Sequence, residues 1–354
     1  MIKIMHNGKI ENVYNFRVPG LSIISNTNDY TIILSAHNEY LSIEQFVIEN
    51  LISKEGITSE ERNSLEKLSI HDAEFWEKIN VLFENNNFLK NTKIYIEKNS
   101  LLYIEESKRI RNCTLILKEN SVLSIGWNTM INGRSEIYVG ENNFCLIGAD
   151  SLLAGGLRIR TNDGHTLISN ENDQITNNYK NGVIIGDHVW VGENCNINKN
   201  TFVGSESIVA SNSLLQNKVY PSYCLLGGAP AKLIKRDISF DSRLSPSNSL
   251  LLSVKSKKEN CYKYIMYENK FKQAQTSLIF TTFDVKIKFL FDLYKERHIS
   301  RFYVIDFNFI KNLAPIDVKK YDKLIDVLSD SEFVEKNKFD LISMFIENQY
   351  IKRG

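Results

Sequence analysis

The chain has 354 residues, with 43 Lys and Arg against 42 Asp and Glu, so its formal net charge is only +1. That length holds two or three domains with real cores, and a charge balance this even excludes the basic excess that a nucleic-acid-binding face needs. The opening MIKIMHNGKIENVYNF has no apolar signal-peptide core, and no apolar run approaches the roughly 18–20 residues that cross a bilayer, so no transmembrane segment and a cytoplasmic location are expected.

Residues 1 to about 50 alternate short β-like runs with turn signals, as in LSIIS from Leu21, Asn26-Thr27-Asn28-Asp29, and YTIILS from Tyr30. From Thr58 to Asn85 the pattern turns helical. Thr58-Ser59-Glu60-Glu61 supplies a start with acids in the first turn. Leu65, Leu68, Ile70, Phe75, Ile79, Val81 and Leu82 give an imperfect apolar face, and Asn85-Asn86-Asn87 closes it. Residues 1–90 therefore read as an N-terminal α+β region, placed to bind an acceptor or to support an oligomer.

From about Lys93 short strands return with no helix between them. Ile104, Ile110, Leu117, Leu123 or Ile125, Ile131, and Ile137 or Val139 recur at a ragged spacing of about six to eight, and Ile147, Leu153 and Ile159 follow. The spacing is cleanest from Val183 to Arg236. There Ile185, Val191, Ile197, Val203 and Val209 stand six apart, and each is followed four residues later by a compact residue: Val189, Cys195, Thr201, Ser207, Ser213. Neither a helix nor an ordinary strand has this period; a coil of short strands joined by tight turns does. Pro is absent from Thr92 to Tyr220, as continuous strand ladders require. Three hexads per coil would stack residues eighteen apart, Ile185 on Val203 and Val191 on Val209, with the compact turn positions pointing inward. Only His165 to Gly182, polar and turn-rich, breaks the period, and a long polar loop inserted in a regular solenoid is usually functional. The abundance of Asn, Lys and Ile reads as the mark of an AT-rich genome. The five cysteines, Cys113, Cys145, Cys195, Cys224 and Cys261, are odd in number and show no CxxC spacing, which suggests reduced thiols.

After Ile238 the hexads end. Residues 241–250 have a linker composition. Beyond Cys261 a helix-like run, VKIKFLFDLYKERH, precedes a strand-like RFYVIDF from Arg301 and further helix-like stretches from Val318. The expected organisation is an N-terminal region, 1–90, a coiled domain, 91–240, and an accessory C-terminal domain, 241–354, of α/β or mostly helical class.

The hexads, Asp163-Gly164-His165 before the loop, Ile185-Gly186-Asp187-His188-Val189-Trp190-Val191-Gly192 after it, and the closing Gly228-Ala229-Pro230-Ala231-Lys232 resemble the hexapeptide-repeat acyltransferases, in particular those that O-acetylate bacterial surface polysaccharides. The likeness covers about 140–240, extends weakly to about 92, and departs from the usual pattern at Ala229, where Asn is common. It implies a mainly β fold, a left-handed parallel β-helix. It also implies a homotrimer, and acetyl-CoA as co-substrate lying in a groove between neighbouring coils. A histidine, by position His165, would act as base on a sugar hydroxyl. The chemistry suits: a hydroxyl attacks a thioester only if a base takes its proton, and imidazole titrates near neutrality. Asp163 is placed to orient His165. Trp190 projects outward with Ile208 stacked beside it, so a neighbouring subunit or the pantetheine arm must cover them. Trp190, Gly192, Ala210, Gly228, Lys232 and Arg236 are the expected cofactor contacts. Backbone amides near Ala210 and Gly228 would receive CoA, Lys232 and Arg236 its phosphates, and an N–H near Gly192 the oxyanion.

His188, beside Asp187, is the rival histidine. Cys195 reads as a buried turn residue, because a reactive thiol needs an exposed electropositive setting. No metal site is expected, since the coil lacks the three imidazoles that catalytic zinc of this fold requires. The expected function is acetyl-CoA-dependent O-acetylation of a sugar in a surface glycan. N-acylation of an amino-sugar nucleotide and a non-catalytic glycan-binding coil are the alternatives.

Overall fold

The computed structural model of the chain describes residues 2–6, 9–12, 21–36, 58–69, 72–75, 77–79, 89, 91–105, 109–177, 182–236, 238–240, 274, 277–279 and 281–295. Two strands open it, β1 (Ile2–His6) and β2 (Lys9–Asn12). A three-sided parallel coil then begins with β3 (Leu21–Ile24) and β4 (Tyr30–Ala36). It continues through β5 (Thr92–Ile96), β6 (Ser100–Glu105) and β7 (Arg109–Ile110), then β8 (Cys113–Leu117), β9 (Val122–Ile125) and β10 (Met130–Ile131). Next come β11 (Ser135–Val139), β12 (Phe144–Ile147) and β13 (Leu152–Leu153), then β14 (Arg158–Arg160), β15 (Val183–Ile185) and β16 (Trp190–Val191). The last two turns are β17 (Asn196–Asn198), β18 (Thr201–Val203) and β19 (Ile208–Val209), and β20 (Leu214–Leu215), β21 (Val219–Tyr220) and β22 (Cys224–Gly227). An antiparallel strand, β23 (Lys232–Arg236), folds back on β22.

The strands stack into three faces. Face A runs β2-β1-β4-β6-β9-β12-β15-β18-β21, face B runs β3-β5-β8-β11-β14-β17-β20, and face C runs β7-β10-β13-β16-β19-β22-β23. The sheets therefore start at least seventy residues before position 91, since β3 and β4 already pair with β5 and β6. The boundary drawn there from sequence is not a break in the sheets. The predicted stacking holds at the C-terminal end, where Ile185 pairs with Val203 and Val191 with Val209. Earlier coils are longer. Lys93 pairs with Thr114, Thr114 with Glu136 and Glu136 with Arg158, so each wide strand has room for two inward residues. Hence both members of the pairs left open from sequence, Leu123 with Ile125 and Ile137 with Val139, lie in the interior cluster.

Each corner needs a residue with φ > 0, and asparagine takes that conformation more readily than most L-residues because its short side chain bonds locally. Asn99, Asn120, Asn142, Asn200 and Asn217 serve the corner between faces B and A, and Asn91, Asn112, Asn194 and Asn212 the corner between C and B. Their amides bond coil to coil: Asn99 Nδ2 donates to Asn120 Oδ1 at 2.6 Å, Asn120 to Asn142 at 3.1 Å, Asn91 to Asn112 at 3.1 Å and Asn200 to Asn217 at 3.0 Å. These nine asparagines therefore have a structural role, which the compositional reading did not supply. At the compact inward positions hydroxyls tie adjacent coils. Thr129 Oγ1 donates to the Gly148 carbonyl at 2.7 Å and Ser151 Oγ to that of Gly186 at 3.0 Å. A Cβ on Gly148 would meet the Gly186 oxygen at 2.4 Å, so this stack admits only glycine.

An open coil would expose its apolar core at both ends. At the N-terminal end a helical segment stands where face C has no strand. Its first helix, α1 (Ser59–Leu65), carries the predicted start: Thr58 accepts from the Glu61 N–H while Glu61 reaches back to the Thr58 N–H. The long helix expected to Asn85 stops at Leu65; the Ser69 N–H is taken by Asp72, helical residues return at 73–75 and 77–79, and 80–85 lie outside the described residues. Leu65, Phe75, Ile79 and Leu89 are buried with Ile94 and Ile110, so the segment plugs the coil. At the other end Ala231, buried, and Leu233 close it.

A second helix, α2 (Phe283–Lys295), matches the helix-like run read after Cys261. Leu278, Ile287, Leu290 and Leu293 cover the outside of face A, against Leu101, Tyr103, Val122, Phe144, Leu146, Ile184 and Phe202. The linker at 241–250, the strand-like run from Arg301, and the stretches from Val318 lie outside the described residues.

Candidate active site

The excursion predicted from His165 to Gly182 leaves the coil after β14 on face B and re-enters at β15 on face A. Its stem is tied by one residue not singled out from sequence, Asn177, which is buried. The Asn177 amide nitrogen donates to Asp163 Oδ2 at 3.0 Å and to the His165 carbonyl at 2.6 Å, and its oxygen accepts the Leu167 N–H at 2.8 Å. Nothing in the sequence singles Asn177 out from the other polar residues of the loop.

Asp163 also pairs with Lys199 from the next coil. Burial pushes the Asp163 carboxyl up, but the hydrogen bonds from Lys199 and Asn177, with the Lys199 charge, outweigh it and hold the group below the ordinary carboxylate range. Asp163 was expected to orient the His165 ring; its Oδ2 accepts from Lys199 and Asn177, and the Asn177 amide also holds the His165 carbonyl. The His165 side chain is exposed. Beyond it the loop doubles back as a short hairpin, with Ile168 bridged to Ile175 and Leu167, Ile168 and Ile175 all exposed.

Trp190 projects from face C and is 40 % exposed. It stacks in register on Leu152 below and Ile208 above, and the column continues to Met130 and Leu225. At its upper end the β22–β23 hairpin sets exposed Lys232 and Lys235, with half-buried Arg236, beside the stripe. The turn between them contains a cis Ala229-Pro230 bond. The outward column is thus apolar along its length and cationic at its upper end. Part of the expected cover over Trp190 comes from the chain itself, since the Phe240 ring lies 5.8 Å away at 47°.

Two expected backbone donors are already committed. The Gly192 N–H donates to the Val209 carbonyl and the Ala210 N–H to that of Leu226, both at 2.8 Å, so neither is open to an oxyanion or cofactor. Gly192 is required for another reason, because a Cβ there would meet the Ser211 nitrogen at 2.6 Å. Gly228 is exposed in a left-handed turn, and its carbonyl accepts the Leu214 N–H.

His188 occupies the corner between faces A and C with φ +50. Its Nδ1 is 2.7 Å from Glu206 Oε2, its Nε2 is 4.0 Å from Asp150 Oδ2, and its ring stacks on Phe240. It is a clasp residue rather than an open base. Cys195 is fully buried, and burial pushes its thiol up, in keeping with its reading as a turn residue.

His165 and Trp190 do not meet within one chain. One hangs from the corner between B and A, and the other lies on face C across the prism.

The three stacked faces, with stacked residues eighteen apart at the C-terminal end, make a hexapeptide-repeat coil. No family model matches the chain. It is 31% identical over 165 residues to the polysialic acid O-acetyltransferase of Neisseria meningitidis, across 46% of this chain and 76% of that protein. It is also 31% identical over 135 residues to the polysialic acid O-acetyltransferase of Escherichia coli O1:K1, and there spans 38% of this chain and 43% of the relative. Among solved structures, the polySia specific acetyltransferase NeuO aligns with a TM-score of 0.41 at 20% identity, over 73% of this chain and 97% of that one. The chain belongs to the hexapeptide-repeat acetyltransferase family that includes the polysialic acid O-acetyltransferases. Among the described residues no helix is long and apolar enough to cross a membrane.

Proposed function

We propose that the protein transfers an acetyl group from acetyl-CoA to a hydroxyl of a sugar in a bacterial surface polysaccharide, and that it does so between copies of the chain, as a homotrimer in the cytoplasm. The observation that carries this reading is the separation of its two halves: an exposed histidine on a tied loop at one corner, and a cofactor-shaped stripe on the opposite face. Three coils packed around an axis would bring the loop of one against face C of the next. The exposed Leu167, Ile168 and Ile175 would find apolar cover there.

In this arrangement the acetyl-pantetheine arm lies along Leu152, Trp190 and Ile208, and Lys232, Lys235 and Arg236 meet the phosphates. His165 takes the proton from the acceptor hydroxyl as its oxygen attacks the thioester carbonyl. The tetrahedral adduct collapses by breaking the C–S bond, and the thiolate leaves with the proton from the imidazolium. No acyl-enzyme forms. Asp163, Asn177 and Lys199 keep the stem rigid so that the imidazole stays within reach of the hydroxyl.

The test is release of CoA from acetyl-CoA in the presence of acidic and neutral bacterial glycans. Wild type should turn over with at least one of them, and His165→Ala should lose about 10²–10⁴ of the rate. Undiminished turnover in that variant overturns the mechanism.

A further inference from the structure

After β23 the chain turns back down the corner between faces A and C. Each residue of this return takes a partner one coil lower than the last. The Ile238 N–H donates to the Tyr223 carbonyl at 3.1 Å, Ser239 Oγ donates to Glu206 Oε2 at 2.6 Å, and the Phe240 ring lies on His188 at 4.3 Å with 7° between the planes. Tyr223, Glu206, His188 and Asp150 are all left-handed corner residues, stacked in successive coils. Glu206 thus holds both the return, through Ser239, and the ring on which Phe240 rests, through His188 Nδ1 at 2.7 Å. The Phe240 ring thus lies flat on an imidazole that Glu206 holds, which seats it on the corner.

That ring stands at the edge of the stripe. Phe240 meets Trp190 at a tilt of 47° with centroids 5.8 Å apart and leaves Trp190 40 % exposed. Ile208, next in the same column, is 8% exposed. A ring that plugged the stripe would bury the tryptophan. A ring that walls one side leaves its face open, as here.

We infer that Phe240, seated by the His188–Glu206 clasp, is a wall of the channel that receives the acyl-pantetheine arm, with Trp190 as the floor. This rests on the reading of face C as the acetyl-CoA site. The wall positions the arm; the proton transfer stays with His165.

The test is steady-state kinetics with acetyl-CoA and the best acceptor glycan, together with calorimetric titration of CoA into the intact protein. Phe240→Ala should raise KM for acetyl-CoA and the CoA Kd about tenfold, at unchanged kcat and unchanged acceptor KM. Phe240→Trp should restore most of the affinity. Glu206→Gln and His188→Asn, the second chosen because Asn keeps the left-handed corner, should shift the acetyl-CoA KM the same way by about threefold, at an unchanged melting temperature. If Trp190→Ala weakens CoA binding and Phe240→Ala does not, the wall is refuted and the groove stands. A lower acetyl-CoA KM in Phe240→Ala would refute the wall in favour of a plug. If neither Trp190→Ala nor Phe240→Ala changes CoA binding, face C is not the cofactor site and both readings fall.

Discussion

Faces A and C are built from the same short parallel strands, and both turn apolar side chains outward. Face A buries its outward Tyr103, Phe144, Ile184 and Phe202 beneath α2 and the residues around Leu278. Among the described residues, face C leaves Trp190 40 % exposed, with the Phe240 ring at its edge. The two faces teach that an outward apolar column in this fold is not itself a sign of function. What the chain covers with its own later segments is core. What the described residues leave open, beside cations and across from an exposed histidine, is where binding is to be sought.

That contrast can be broken from either side. The largest expected effect is His165→Ala, with a fall of about 10²–10⁴ in turnover and no change in the melting temperature, since the side chain is exposed. On the covered face, Phe144→Ala should remove about 3–5 kcal/mol of stability, read by denaturant unfolding, because the ring is fully buried between the sheet and the helical cover. Where enough folded protein remains, its acetyl-CoA KM should be unchanged, whereas face-C variants should show the reverse pattern. A smaller effect belongs to the corners. Asn142→Val should cost about 1–2 kcal/mol, since a β-branched residue resists φ > 0 and the ladder bond from Asn120 is lost, and Asn142→Gly should cost less.

The smallest effect is a pH dependence confined to the loop stem. The folded pKa of Asp163 is depressed, so its contribution is present above the ordinary carboxylate value of about 3.9 and is lost as pH falls through the lower folded value. Hydrogen exchange at residues 163–177 should therefore be steady from neutral pH down to that range and rise below it, once intrinsic exchange is corrected for. Asp163→Asn should show the raised exchange already at pH 7. A stem insensitive to both would mean that Lys199 and Asn177 do not hold it.

Several features were legible from the chain alone because they repeat or have a local cause. The six-residue aliphatic period of Ile185, Val191, Ile197, Val203 and Val209 determines inward stacking, and all five are interior. Thr58 with Glu61 marks the start of α1, since the capping bonds span only three residues. The interruption at His165 is visible as a failure of the period. Less legible was the beginning of the coil. The wide turns at Lys93, Thr114 and Glu136 put about 21–22 residues between stacked positions, so the hexad rule loses phase there. Residues 21–36 look like any β-rich leader until they are seen paired with β5 and β6.

The site divides in the same way. Sequence placed His165 on a loop and Trp190 on an outward position, because the first depends on the insertion and the second on the period. It could not give Asp163 its partners, since Lys199 lies 36 residues on and one coil away, nor find Asn177, whose three bonds cross the stem. The family resemblance offered Gly192 and Ala210 as donors, yet in a parallel coil each such N–H points along the axis into the next turn. The sequence by itself determined the coil and the loop that interrupts it, because these follow from a repeat carried by neighbouring residues; the asparagine corners emerged only from the backbone conformation. Only the tertiary structure decided which outward column is covered, which amides are free to bind, and that the candidate base and the cofactor stripe lie on opposite sides of the prism. Those facts depend on which distant segments come to rest on one another.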